Sequence, residues 1–167
     1  MLETRRIPVV LGVICALALG SAAVRAAGSI EGRWLLVEQH YGKGQSELAP
    51  VENPVHLEFV QEGGRITGRI WAGFSRAQAV AWPAFAVDDK HVRTQIDEYE
   101  TSPGRNRVRA AYTVDPSADS KLTLKVVEEY RLADGGKSLK GTLTVRFLHA
   151  GEPRGSYVLH RRFERQP

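Results

Sequence analysis

Cysteine is almost absent from this chain. The 167-residue sequence contains one cysteine, Cys15, which lies in an apolar run near the N-terminus. The rest of the chain has none, and this excludes disulfide bonds, thiolate catalysis and cysteine metal sites there. We therefore expect the folded domain to be held together by an apolar core and by backbone hydrogen bonds.

Sustained helical periodicity is also missing after residue 27. Apolar and polar residues alternate instead, which is the pattern of half-buried strands. In "SLKGTLTVRFL" (138–148), Leu139, Leu143 and Val145 fall on one face, whereas Lys140 and Thr142 fall on the other. One buried and one solvated face are typical of antiparallel sheets.

The alternating segments are separated by turn sequences rich in glycine, proline and aspartate. They predict strands near residues 33–41, 55–61, 65–71, 79–87, 91–100, 107–114, 121–132, 137–148 and 156–164. Eight or nine successive strands with short connections predict one all-β domain over residues 28–167, an antiparallel up-and-down β-barrel. Closure into a barrel removes open sheet edges. A sandwich of two sheets is the alternative.

The first 27 residues have the order of a secretory signal peptide. Arg5 and Arg6 precede the apolar run "IPVVLGVICALALG", and small residues follow in "SAAVRAAGS". The pattern predicts cleavage after Ala23, Ala26 or Ala27. The run has 14 residues, fewer than the roughly 20 that span a bilayer. We therefore expect a periplasmic or secreted protein with no stable membrane span after signal removal, rather than an anchored one.

Net charge is small. The chain carries a formal charge of +4, and half of it lies in residues 1–27, where Arg5, Arg6 and Arg25 oppose Glu3. Nucleic-acid binding calls for a clustered basic face, and a solvated strand end explains the basic "HRRFER" near the C-terminus equally well. We therefore expect no nucleic-acid partner.

Motifs of catalysis and cofactor binding are missing as well. No two histidines have the close spacing of a zinc site, and no serine lies in Gly-x-Ser-x-Gly. The segment "GKGQS" lacks the spacing of a phosphate-binding loop. The sequence therefore predicts no catalytic residue, no metal and no cofactor.

A carboxylate and a tyrosine share one face of the strand near 121–132. Glu128 and Tyr130 continue the apolar face of that strand, so Glu128 is a candidate ligand anchor or a general base with a raised pKa. A solvated position at the barrel rim, or a pairing with an inward arginine, is the alternative. Glu38 and His40 share the alternation of Trp34 on the first strand, and the same alternatives apply to them.

The aromatic segment 72–85 is the second candidate for ligand binding. Its aromatic residues surround Pro83, which would interrupt a central strand. They would line the mouth of a barrel that receives an apolar ligand, or alternatively pack as a lid over the core. Together the ligand-binding candidates are Phe74, Trp82, Phe85, Tyr112, Glu128 and Tyr130.

The predicted first strand opens with "GRW", and the last contains "YVLHRRF". With the antiparallel meander between them, these features resemble the calycin group, which comprises lipocalins, fatty-acid-binding proteins and avidins. In lipocalins the tryptophan of the Gly-x-Trp motif closes one end of the barrel, and an arginine of the final strand packs across it. The resemblance implies these roles for Gly32 and Trp34 and for Arg161 or Arg162, with a cation–π contact between guanidinium and indole.

Three functions remain open at this point. The first is an exported lipocalin-like protein that holds a small apolar or amphipathic ligand in its barrel. The second is a protein-interaction module, such as an inhibitor or an envelope assembly factor, that acts through the loops 42–54 and 72–85 over a packed barrel. The third is an enzyme inside the barrel, which would need at least two converging buried polar residues, with Glu128 the first candidate.

Replacing Trp34 with alanine tests the structural role that the resemblance implies. We expect the free energy of unfolding to fall by ~3–5 kcal/mol, because truncating a buried aromatic side chain removes its contacts and leaves a cavity. Denaturant unfolding of the variant and of the wild type measures the difference. A variant with the same free energy of unfolding as the wild type would contradict this role of Trp34.

Overall fold

The computed structural model describes residues 28–42, 54–83, 93–116 and 121–167. The predicted signal peptide, Phe85 and most of the loop 42–54 lie outside the described residues. These ranges contain nine strands: β1 (Gly32–Tyr41), β2 (Val55–Glu62), β3 (Arg65–Ala72), β4 (Val80–Trp82), β5 (Arg93–Thr101), β6 (Arg107–Asp115), β7 (Leu122–Ala133), β8 (Ser138–His149) and β9 (Glu152–Arg165). Short 3₁₀ turns occur at Arg76–Gln78 and Asp134–Gly136. No helix in these ranges is long and apolar enough to cross a membrane.

The strands form one antiparallel sheet in the order β4-β3-β2-β1-β9-β8-β7-β6-β5. It consists of two meanders, β1 to β4 and β5 to β9, that join where the first strand pairs with the last. The sequence prediction of an all-β antiparallel domain is confirmed, and the sandwich alternative is wrong. The sheet curls into a half-barrel.

The expected closure is not completed by backbone hydrogen bonds, since no ladder joins β4 to β5 in the described part of the chain. Strand β4 has only three residues, and Pro83, which follows it, has no amide hydrogen to extend a ladder. The other edge, β5, contains a register shift between Ile96 and Glu98. Short edges and bulges are common ways to prevent pairing with other chains.

The alternation seen in the sequence separates the two faces of the sheet. In β6, Val108, Ala110 and Tyr112 point inward and are buried. In β8, Leu139 and Val145 are buried, and the polar residues between them are mostly exposed. The inward residues of the curled sheet therefore meet in one apolar core.

A bulge in β1 changes which residues of this strand face inward. The register with β9 shifts between Leu36 and Glu38. Beyond the shift Glu38 and His40 lie on the outer face, and Gln39 points inward. The expectation that Glu38 and His40 share the face of Trp34 is therefore wrong, because an extra residue reverses the alternation.

One end of the half-barrel is closed around Trp34, which is completely buried. Its indole nitrogen donates to the carbonyl of Ile30 at 2.9 Å. The guanidinium of Arg165 lies 4.3 Å from the centroid of the indole ring. The same group donates to the carbonyls of Ser29 (2.7 Å), Glu31 (2.9 Å) and Gly136 (2.9 Å). Arg165 thus links the segment before β1 and the β7–β8 turn to the indole.

The arginine that packs on Trp34 is therefore Arg165, and the expectation of Arg161 or Arg162 is wrong. Strand pairing places Arg165 directly opposite Trp34. Arg161 lies four residues earlier, about 13 Å along an extended strand. Arg162 is on the outer face, where it pairs with Glu38 at 3.0 Å.

Contacts from β5 and from the β5–β6 turn to the first meander and the segment before it lie at this closed end. The hydroxyl of Tyr99 on β5 donates to the carbonyl of Ile66 on β3. Arg105, in the β5–β6 turn, donates to Glu31 at 2.9 Å and also to Gln61. The backbone amide of Ile30 donates to the carbonyl of Arg105 at 2.8 Å. The half-barrel is thus closed at the Trp34 end by side-chain and turn contacts.

Replacing Arg165 with lysine tests its role at the closed end. An ammonium group cannot stack on the indole and also reach three separate carbonyl groups, so we expect the free energy of unfolding to fall by about 1–3 kcal/mol. The matched control is Arg162→Lys, whose ion pairs are exposed and which we expect to change stability by no more than about 0.5 kcal/mol. Equal denaturant midpoints for the two variants would contradict this role of Arg165.

Candidate functional site

The centre of the inner face holds a buried carboxylate, Glu128, which is 2% exposed. It accepts hydrogen bonds from the hydroxyls of Tyr112 and Tyr130, each at 3.0 Å, and from the indole nitrogen of Trp82 at 2.5 Å. Strands β7, β6 and β4 supply these groups, so residues far apart in sequence converge. We call these four residues the Glu128 cluster.

Three donors make the burial of this carboxylate tolerable, because a buried charge without hydrogen bonds is strongly destabilising. The alternative that Glu128 is a solvated rim residue is wrong. Burial and the adjacent carboxylate raise the pKa of Tyr112 and of Tyr130 well above the usual range. Both phenols are therefore fixed as hydrogen-bond donors at neutral pH.

Aromatic packing and one glycine hold this cluster in place. The rings of Phe59 and Trp82 meet edge-on at 5.1 Å, and those of Trp82 and Tyr130 at 5.5 Å. Gly141 on β8 lies directly opposite Tyr130. A Cβ at Gly141 would come within 2.8 Å of the Tyr130 ring, so only glycine leaves room for the ring in this position.

The predicted aromatic mouth is not formed as expected. Trp82 is 3% exposed and belongs to the core, because the pairing of β4 with β3 places it opposite Gly68 and over the inner face. Phe74 is 95% exposed, in the loop after β3. These two residues therefore do not line a common opening, and Phe85 lies outside the described residues.

Arg161 occupies the inner face beside the Glu128 cluster. Its Nε donates to the side-chain oxygen of Gln39 at 3.0 Å. It also interacts with the hydroxyl of Tyr130, and its charge lowers the pKa of Tyr130 against the larger opposing effect of burial. The resemblance implied a contact of Arg161 or Arg162 with Trp34 instead, because only the strand register shows which way Arg161 points.

A partly open strip of the inner face adjoins Arg161, and we call it the inner trough. Its residues share a half-buried position on the inward face, in contrast to the complete burial around Trp34. They are Leu36, Gln39, Tyr41, Ile70, Leu143, Tyr157 and Arg161. The rings of Tyr41 and Tyr157 meet edge-on at 5.8 Å. The trough therefore combines half-exposed apolar side chains with a few polar groups.

The outer face carries two grooves whose linings include charged residues. One, of about 460 Å³, is lined by His40, His160 and Arg162, among others, and the two imidazole rings lie 5.2 Å apart. The other, of about 420 Å³, contains Lys125 and Arg146. Over the described ranges no three histidine, cysteine or acidic residues are grouped so that they could hold a metal ion.

Comparison with known proteins gives no relative for this chain. No protein-family model, no curated protein and no solved structure matches it. Its function must therefore follow from the geometry of its own residues.

The isosteric variant Glu128→Gln tests the Glu128 cluster. Glutamine has one oxygen acceptor and an NH₂ donor, so the NH₂ group would face at least one of the three donors. We expect the free energy of unfolding to fall by about 1–3 kcal/mol, the cost of an unsatisfied buried polar group. Denaturant unfolding measures it, with Glu129→Gln, the half-buried neighbour on the opposite face, as the control. Equal stability of both variants would contradict the cluster.

The raised tyrosine pKa values also predict the alkaline stability of the protein. Because the folded state holds the protons of Tyr112 and Tyr130 more tightly than the unfolded state, their contribution to stability is fully present below pH 10.0, the pKa of an ordinary tyrosine, and declines above it. Titration of tyrosinate absorbance should show that these two of the five tyrosines ionise only on unfolding. In the still-folded protein, ionisation of all five near pH 10 would contradict this.

Proposed function

We propose that this protein is an exported, lipocalin-like binding protein that holds a small apolar or amphipathic molecule against the inner face of its half-barrel. One observation carries the proposal. The inner face is fully packed at the Trp34 end but leaves apolar side chains half-exposed along the inner trough. Concave, mostly apolar surfaces with a few directed polar groups are where proteins bind small molecules.

The physical driving force is burial of the exposed part of the trough. Leu36, Leu143 and Tyr157 pack against the core on one side and remain partly exposed on the other. A ligand that covers them gains about 25 cal/mol for each Å² of apolar surface removed from water. A flat or fully packed inner face would offer no such gain.

The Glu128 cluster is more deeply buried than the inner trough and supports it indirectly. Tyr112 and Glu128 are 1% and 2% exposed, so they act by holding Tyr130 and the adjoining Arg161 in place. A ligand would contact the trough and leave the carboxylate covered. With both Glu128 oxygens engaged by three donors, the arrangement favours binding over catalysis.

Binding of an apolar dye tests the proposal, with tryptophan used to fill the trough. We expect the wild-type protein to bind the dye and Leu143→Trp to bind it at least about tenfold more weakly, because the larger side chain occupies the space. The control is Thr142→Trp, the exposed neighbour on the outer face, which should leave dye binding unchanged. Equal dye affinity in Leu143→Trp and the wild type, with both folded, would overturn the trough as the site.

Native mass spectrometry of the protein purified from the periplasm of a bacterial host tests the proposed ligand binding without a chosen dye. We expect a small molecule that is present in the native mass and absent from the denatured mass. Its retention by Thr142→Trp and its loss from Leu143→Trp would locate it in the trough.

Phe74 favours a second candidate function, a module that binds another protein through its loops. Its side chain is almost fully exposed, while the loop that carries it is held to the sheet by the ion pair between Arg76 and Glu58. An apolar side chain on a fixed loop is suited to a protein contact. A photo-crosslinker at position 74 should then capture one specific protein that the same group at the exposed Gln78 does not.

A further inference from the structure

The larger groove of the outer face, of about 460 Å³, has a regular lining, and we call it the outer groove. Strand pairing across β1, β9 and β8 arranges six polar side chains in two rows of three. The rows are Glu38, Arg162 and Lys140, and then His40, His160 and Thr142. Side chains directly opposite each other in a sheet lie roughly 5 Å apart, and successive rows on one face roughly 7 Å apart.

Lys140 is the cation of this groove without a carboxylate partner. It makes no ion pair with any described residue. Strand pairing places an arginine directly opposite it on both sides, Arg162 on β9 and Arg131 on β7. Like charges in directly opposite positions destabilise a sheet. An anion bound in the outer groove would relieve this repulsion.

The acidic residues around the groove are engaged by other groups. Glu38 and Glu164 accept from Arg162 at 3.0 and 3.2 Å. Glu129, which lies opposite Thr142 on β7, accepts from Arg131 at 3.1 Å. Arg162 uses its Nε and Nη1 for these contacts, so its Nη2 is left for a further acceptor. The groove therefore offers hydrogen-bond donors in excess.

The two histidines add to these donors. Their imidazole rings lie 5.2 Å apart, and each imidazole has an N–H group that can donate to an anion. A histidine pair also suits a transition metal. However, the charges of Arg162 and Lys140 oppose a cation, and the described residues contain no group of three metal ligands. The histidine pair therefore fits an anion better than a metal.

We propose that the outer groove binds a phosphomonoester group. Lys140, Arg162, His160 and Thr142 occupy the corners of a rectangle of roughly 5 by 7 Å, so their donors reach the group from different sides. A phosphomonoester presents three strong acceptor oxygens and close to two negative charges, and it is bound by arginine and lysine through charge-assisted hydrogen bonds. The groove also has room for the organic part of the ester.

This inference does not rest on the proposed function, because the outer groove and the inner trough lie on opposite faces of the sheet. Calorimetric titration at neutral pH and low salt compares phenyl phosphate with benzoate, which has the same ring and a planar, singly charged anion. We expect the wild-type protein to bind phenyl phosphate at least about tenfold more tightly. Equal affinities, or no binding of phenyl phosphate, would overturn the inference.

A pair of lysine variants locates the binding. Lys140→Met should weaken phenyl phosphate at least about tenfold, because it removes the unpaired cation and keeps most of the side-chain length. The matched control is Lys125→Met, an exposed lysine of β7 that borders the other groove, which should bind like the wild type. Undiminished affinity in a folded Lys140→Met protein would overturn the assignment to this groove.

Two tryptophan variants separate this site from the inner trough. Thr142→Trp fills the outer groove and should weaken phenyl phosphate at least about tenfold while the apolar dye still binds. Leu143→Trp, the next residue, points to the opposite face and should leave phenyl phosphate binding unchanged. Loss of phenyl phosphate from Leu143→Trp, with its retention by Thr142→Trp, would overturn the inference. Failure of the dye alone would count against the proposed function only.

Vesicles that contain phosphatidate distinguish the sources of the group. Binding of the wild type but not of Lys140→Met to these vesicles would support the inference and assign the phosphomonoester to a lipid headgroup. Binding of phenyl phosphate without binding of the vesicles would support it and assign the group to a soluble ester.

Discussion

The contact between Arg165 and Trp34 is the interaction on which the remaining structure depends. Two meanders could close in several ways, but this guanidinium lies on the indole and donates to the carbonyls of Ser29, Glu31 and Gly136. These carbonyls belong to the segment before β1 and to the β7–β8 turn. Without a disulfide, such a multiple donor fixes the closed end, because a single side chain satisfies backbone acceptors from both parts of the chain.

Closure at the Trp34 end contrasts with the partly exposed inner face farther along the sheet. Aromatic and aliphatic side chains fill the space near Trp34 completely, whereas the sheet edges β4 and β5 share no ladder in the described residues. Around the β1–β9 junction the inner face therefore stays partly exposed. The inner trough therefore lies where the packed core is no longer continuous.

The inner face also separates two opposite charges. Glu128 is covered and accepts three hydrogen bonds, and Arg161 lies beside it with neutral partners. Tyr130 contacts both, and Gly141 leaves room for its ring.

The sequence by itself determined the strands, since period-two alternation and turn residues are local signals, and seven of the nine predicted strands match observed ones to within two residues at each end. Strand β9 begins four residues earlier than predicted, and β4 ends at Trp82, with residues 84–87 of its prediction outside the described residues. It also singled out Trp34 and, as ligand-binding candidates, all four residues of the Glu128 cluster. Inward parity within one strand placed Glu128 and Tyr130 on a common face, but Trp82 was assigned to a barrel mouth that the structure does not form. Only the tertiary structure decided which arginine meets Trp34 and that Glu38 and His40 face outward. Both depend on strand register and on a one-residue bulge, and a single inserted residue reverses every side chain beyond it. The pairing of β4 with β3, which buries Trp82, likewise joins residues that no local pattern connects.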